Sequence, residues 1–142
     1  MIAFTVPGTP VAKGRPIVST FGGRPMLRTP DRTARYESQV ALFAAQAMEG
    51  RKPVDAAVIV DAMAVFPVAA SWPKKRRLAA LAGEMYPVCR PDADNLAKSL
   101  ADGANGVVWT DDSRIVDMRI RKRYGEVPGL YVSVTWIAPE AA

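Results

Sequence analysis

Four aspartates and one lysine in the C-terminal half are spaced so that they could do chemistry together. Asp92 and Asp94 flank a single alanine, Lys98 follows four residues later, and Asp111 and Asp112 stand side by side further on. On extended backbone, Asp92 and Asp94 would project to one face. Two carboxylates so placed repel each other unless they share a proton or a cation lies between them. Asp112, arriving from a later turn, would add a third carboxylate, with Asp111 as a substitute or outer partner. The chain has no histidine and one cysteine, Cys89. Imidazole bases, Ser-His-Asp and Cys-His catalysis, and histidine or multi-thiolate zinc sites are therefore excluded. What remains is oxygen ligation of a hard cation, Mg²⁺ with Mn²⁺ as a substitute. If a helix begins near Asp94, Lys98 lies one turn along on the same face. Its ammonium could there meet a phosphate and stabilise charge in a transition state. Plainer roles exist for each: Asp94 could cap a helix, and Lys98 could be an ordinary exposed helix lysine.

Charge is distributed unevenly around this cluster. Residues 1–90 carry 13 Lys/Arg against 6 Asp/Glu, whereas residues 91–142 carry 6 against 8, within a net charge of +5. A basic body attracts a polyanion, and an acidic knot holds the cation that relieves local repulsion. A solvated acidic loop would give the same counts. Lys13, Arg15, Arg24 and Arg28 fall in a Gly- and Pro-rich stretch suited to phosphate contact. Arg119, Arg121 and Arg123 alternate with Val116, Met118 and Ile120, so one strand face would pack while the other presents a row of guanidinium groups.

The elements that must position these residues follow from periodicity and breakers. Ile2 to Val6 reads as a strand stopped by Pro7-Gly8-Thr9-Pro10, and Val11 to Leu27 as a long loop or loose hairpin. Thr29-Pro30-Asp31 starts a helix, with Thr29 as cap and Pro30 in its first turn, running to Met48 and ended by Gly50. Ala56 to Phe66 reads as a strand, and Ser71-Trp72-Pro73 opens a short helix closed by Gly83. A third helix is expected over Asn95 to Ala104, then strands over Ile115 to Tyr124 and Leu130 to Ile137. The order predicts an α/β (α+β) fold, one domain over residues 1–142, with a small mixed β-sheet packed against helices. No stretch is long and apolar enough to span a bilayer, and the first residues lack the pattern of a signal peptide, so a cytoplasmic location is expected.

The run Asp92-Ala-Asp94-Asn95-Leu-Ala-Lys98, then ten residues, then Trp109-Thr-Asp111-Asp112 leading into a strand, resembles the RusA-like Holliday junction resolvases. The resemblance is good over about residues 86–136 and extends to the N-terminal half in layout only. It implies catalytic acids at Asp92, Asp94 and Asp112 and an essential lysine at Lys98. It also implies a homodimer that cuts four-way DNA junctions with Mg²⁺, in a family common in phages and prophages, with no organic cofactor and no membrane. The connection between helix and turn is slightly shorter than in the family, so Asp111 and Asp112 both stay candidates. A flap or other branched-DNA nuclease using the same carboxylates, and a non-enzymatic basic DNA-binding protein, are the alternatives.

Overall fold

Two periodicities, of two and of 3.6 residues, generate nearly all the elements of the computed structural model. It describes residues 1–138, the side chain of Phe21 apart; the last four residues of the expected domain lie outside the described residues. In chain order the elements are β1 (Ile2–Pro7), β2 (Ile17–Phe21), β3 (Arg24–Arg28), α1 (Asp31–Met48), β4 (Ala57–Phe66), α2 (Lys74–Leu81), α3 (Ala93–Ala104), a 3₁₀ turn at Asp112–Arg114, β5 (Ile115–Tyr124) and β6 (Gly129–Ile137). The expected mixed sheet and helices are both present. The stretch read as a loop or loose hairpin is a hairpin of β2 and β3, separate from the main sheet.

The main sheet runs β1-β6-β4-β5, antiparallel except for the parallel pair β4 and β5. Alternation along each strand turns Ile2, Phe4 and Val6, Val58, Val60, Ala62 and Ala64, and Leu130, Val132 and Val134 to one buried face. Onto that face α1 presses Tyr36, Val40, Ala44 and Met48, four residues apart, while α3 adds Leu96, Leu100 and Ala104. Each fully buried aliphatic side chain contributes about 1.5–3 kcal/mol. The opposite sheet face carries Thr5, Asp61, Arg119, Arg121 and Ser133, and no described helix packs on it. No helix among the described residues is long and apolar enough to cross a membrane.

The direction of β4 and β5 matters for everything that follows. Both strands end near the start of α3, because Phe66, Tyr124 and Lys122 share one groove with Asp92. The far end of α3 returns to the beginning of β4: the Val54 amide donates to the Val108 carbonyl at 2.7 Å, and the Thr110 amide to the Val54 carbonyl at 3.1 Å. Beneath this turn Trp109 is wholly buried, as its position after the helix predicts.

Helix α3 sits against α1 at Gly103. A Cβ there would lie 2.8 Å from Val40 Cβ, 2.9 Å from Val40 Cγ1 and 3.0 Å from the Glu37 carbonyl oxygen. Backbone and a β-branched side chain cannot yield cheaply, so Gly103→Ala is expected to destabilise the protein by about 1–3 kcal/mol. A lowered denaturant midpoint at unchanged slope checks this, and an unshifted midpoint would refute the close α1–α3 contact.

Candidate active site

The N-cap and first two turns of α3 hold three of the expected residues. Asp92 is its N-cap, on extended backbone (φ −74°, ψ 146°), and Asp94 lies inside the first turn. The helix thus starts two residues before the expected Asn95. The extended-strand geometry expected to align Asp92 and Asp94 is replaced by one carboxylate before the helix and one within it. Neither caps the helix through its side chain. Lys98 follows one turn after Asp94, as the spacing required, and all three side chains are exposed. Among the described residues none of them enters an ion pair. With no ion-pair partner among the described residues, these three exposed charges are free to meet a ligand. The two carboxylates also stand at the positive end of the helix dipole, which favours anions there.

Asp111 and Asp112 are elsewhere. Asp111 caps the 3₁₀ turn, accepting from the Ser113 amide at 3.0 Å. The Ser113 side chain and amide hold its carboxyl below the usual carboxylate range. Asp112 is exposed and enters no ion pair among the described residues. Nearby, Asp55 accepts from Arg114 at 2.8 Å and Thr110 at 3.1 Å, and these two partners, Arg114 foremost, lower its pKa. This corner lies at the C-terminal end of α3. Asp92 and Asp94 lie at its N-terminal end, about 18 Å away by the rise of a 12-residue helix. Among the described residues no three His, Cys, Asp or Glu side chains are grouped so as to hold a metal ion. The convergence of Asp92, Asp94 and Asp112, with or without Asp111, on one cation is therefore not met within a single chain. Half of the expected ligand set stands at each end of α3.

The endodeoxyribonuclease RusA profile matches residues 7–135. The chain belongs to the RusA family. It is also 34% identical over 138 residues, 94% of either chain, to the uncharacterized protein YqaN of Bacillus subtilis (strain 168). This RusA-family protein is accordingly of the endodeoxyribonuclease class, whose nucleases depend on divalent metals.

Asp92 borders an open groove of about 900 Å³ that the sequence did not disclose. Arg15, Arg32, Arg90 and Lys122 line it, together with Trp72 and Tyr124. Trp72 and Tyr124 meet edge to face, with centroids 5.4 Å apart, and the Arg76 guanidinium lies 3.9 Å over the Trp72 ring. Lys122 donates to the Cys89 carbonyl at 2.7 Å, and the Arg90–Pro91 peptide is cis. Lys122 escaped notice because it falls out of phase with the row of arginines on its strand. That phase is what turns it to the groove side, whereas Arg119, Arg121 and Arg123 share the exposed alternate positions of β5.

The other basic residues divide by what they touch. The segment expected to be a long loop or loose hairpin is pinned at its start: the Lys13 amide donates to the Asn95 carbonyl at 2.9 Å, and the Gly14 amide to Thr33 Oγ1 at 3.0 Å. The Ser99 hydroxyl lies 2.8 Å from the Val11 carbonyl. Lys13 itself bridges Glu37 at 2.6 Å and Asp102 at 3.1 Å. Burial works to lower its pKa, but the two carboxylates together raise it above its ordinary value. Arg28 pairs with Asp31, and Arg121 with Asp61 across the sheet. Arg15, Arg24, Arg119 and Arg123 enter no ion pair among the described residues. Two substitutions separate a structural cation from a DNA contact. Lys13→Ala is expected to lower stability by roughly 0.5–1.5 kcal/mol, since it leaves Glu37 and Asp102 facing each other. Arg15→Ala is expected to leave stability unchanged and to lower the slope of log affinity for DNA against log salt by about 0.9. Measured denaturation midpoints and salt titrations decide, and the opposite assignment of the two effects would overturn this division.

Proposed function

We propose that the protein is a homodimeric, Mg²⁺-dependent endonuclease that resolves four-way DNA junctions by paired hydrolysis of phosphodiester bonds, with Mn²⁺ as a substitute ion. Its setting is the cytoplasm, in recombination, repair or phage replication. The observation that carries the reading is the unpaired Asp92, Asp94 and Lys98 on the first two turns of α3, with Asp92 at the lip of a cationic groove, in a member of the RusA family.

A divalent ion, when bound, would supply charge neutralisation and a water of lowered pKa. The protein's own residues do the rest. Asp92 and Asp94 provide two hard ligands from one helix end. Lys98 stands one turn along, where its ammonium offsets charge developing on the phosphate. The unpaired arginines bordering the groove seat the backbone of the DNA strand and make affinity steeply dependent on salt. Asp112 is the third ligand in preference to Asp111, whose carboxylate already accepts from the Ser113 amide.

The separation of the carboxylates along α3 gives the dimer a chemical reason. Each chain carries Asp92 and Asp94 at one end and Asp112 at the other, so two chains related by a two-fold axis can close two equivalent sites, each taking Asp112 from the partner copy. A four-way junction is itself close to two-fold symmetric, and symmetric resolution needs two matched incisions.

Asp94→Asn and Asp112→Asn are each expected to cut junction cleavage by at least about 10²-fold while junction binding persists. Mixed after subunit exchange, the two dead variants are expected to regain single-strand nicking at roughly a quarter of the wild-type rate, since half the dimers are mixed and each holds one intact site. A mixture as inactive as its parents, with exchange shown by gel filtration of tagged subunits, would remove the shared site and leave the nuclease reading standing. Wild-type protein that binds junctions but nicks nothing with Mg²⁺ or Mn²⁺ would leave a DNA-binding protein only. Cleavage of flaps with four-way junctions spared would replace the resolvase by a flap nuclease.

A further inference from the structure

We infer that the groove beside Asp92 is a nucleotide subsite: it takes one base drawn out of the helical stack next to the scissile phosphate and stacks it in the corner made by Trp72 and Tyr124. This rests on the nuclease reading for the position of the cut, but its own evidence is separate.

The groove joins two kinds of surface that occur together where single-stranded nucleic acid is bound. Of its five cations Lys13 is held by Glu37 and Asp102, but Arg15, Arg32, Arg90 and Lys122 enter no ion pair among the described residues, so most of the positive potential along the groove is not cancelled by neighbours. Its aromatic corner is half-exposed, although each ring could bury about 150–250 Å². A phosphate backbone satisfies the first surface and a base the second. A base within a duplex has both faces covered by its neighbours, so only an extruded one can use the corner. An open four-way branch offers such a base at a lower cost than continuous duplex, because stacking, though not pairing, is interrupted there.

The corner is built to keep its shape. The rings of Trp72 and Tyr124 stand at 76° to each other, giving a wall and a floor rather than one flat plate. Arg76, from the first turns of α2, lies over the indole at 3.9 Å and fixes it. Tyr124 closes β5, and Trp72 stands just ahead of the N-cap of α2, so both rings are mounted at the ends of regular elements. Corner and chemistry share one surface, since Asp92 and Asn95 line the same groove. A base held there would fix the register of the strand, and with it which phosphodiester meets the carboxylates. Trp72 and Tyr124 thereby act on the choice and positioning of the bond and not on its hydrolysis.

Junctions carrying a single abasic site, moved one nucleotide at a time across the cut, test this. With wild-type protein, single-turnover cleavage is expected to fall roughly 5- to 150-fold at one position and to stay unchanged at the others. Trp72→Ala is expected to cut the intact junction more slowly by a similar factor and to be indifferent to the abasic site, whereas Trp72→Phe keeps the wild-type pattern. Full-rate cleavage by wild-type protein at every abasic position, or an undiminished abasic penalty in folded Trp72→Ala, overturns the subsite. A second arm needs no cleavage. The fluorescent base 2-aminopurine at the same position, with metal chelated, is expected to change its emission on binding wild-type protein and not on binding Trp72→Ala. Unchanged emission on wild-type binding overturns the subsite even if the junction is cut. A change without any cleavage at any metal concentration retains the subsite and overturns the nuclease.

Discussion

The seating of α3 in the angle between α1 and β5 is the contact on which the rest depends. Leu96, Leu100 and Ala104 bury one side of the helix, and Gly103 lets the α1 backbone approach so closely that a methyl group would collide with Val40. That burial fixes the rotation of α3 about its axis. Once rotation is fixed, the positions that cannot face the core, Asp94 and Lys98, must face out together. The same packing holds the first residues of the basic segment, through Ser99 to Val11 and through the backbone of Asn95 to Lys13. A helix seated this way presents its acidic end from one rigid element, more precisely than a loop could, and sets it beside the groove.

The parallel pairing of β4 and β5 has a second consequence. Parallel strands need a crossover, and here α2, α3 and the Trp109 turn provide it. The crossover enters at the C-terminal end of the strands and leaves at the N-terminal end, so its two acidic clusters are necessarily at opposite ends of the sheet. No adjustment of side chains brings Asp112 to Asp94 across the length of α3. In the proposed dimer a second copy would do so without changing the fold, because a two-fold axis can set one chain's Asp112 against the other's Asp94.

Much of this was legible in the residues. Strand positions follow from alternation, and helix limits from Pro30, Gly50, Pro73 and Gly83. The cluster at the start of α3 was legible because it is local: four residues of spacing on a helix translate directly into a shared face. Sequence spacing says nothing about which elements are neighbours, and that is where reading stopped. The gap between Asp94 and Asp112 depends on α3 being a rigid rod with both ends anchored. The groove gathers Arg15, Arg32, Trp72, Arg90 and the β5 pair Lys122 and Tyr124 from five separate stretches of chain. No local pattern could have marked them as one surface.

Basic charge shows the same limit in another form. A net charge of +5 suggests a surface made for a polyanion, but the useful quantity is the charge left after internal pairing. Lys13, Arg28, Arg114 and Arg121 all face carboxylates of their own chain. Lys13 holds α1 to α3, and Arg121 ties β5 to β4. Removing them from the tally leaves the groove, with Arg15, Arg32, Arg90 and Lys122, as a place where cations meet aromatic rings beside an unpaired carboxylate. In the proposed nuclease, positive charge near Asp92 would serve two ends at once, drawing in the phosphate backbone and offsetting the repulsion that an acidic helix end would otherwise exert on it. An acidic site can work on DNA only if something nearby makes the approach favourable, and in this chain the groove is where that condition is met.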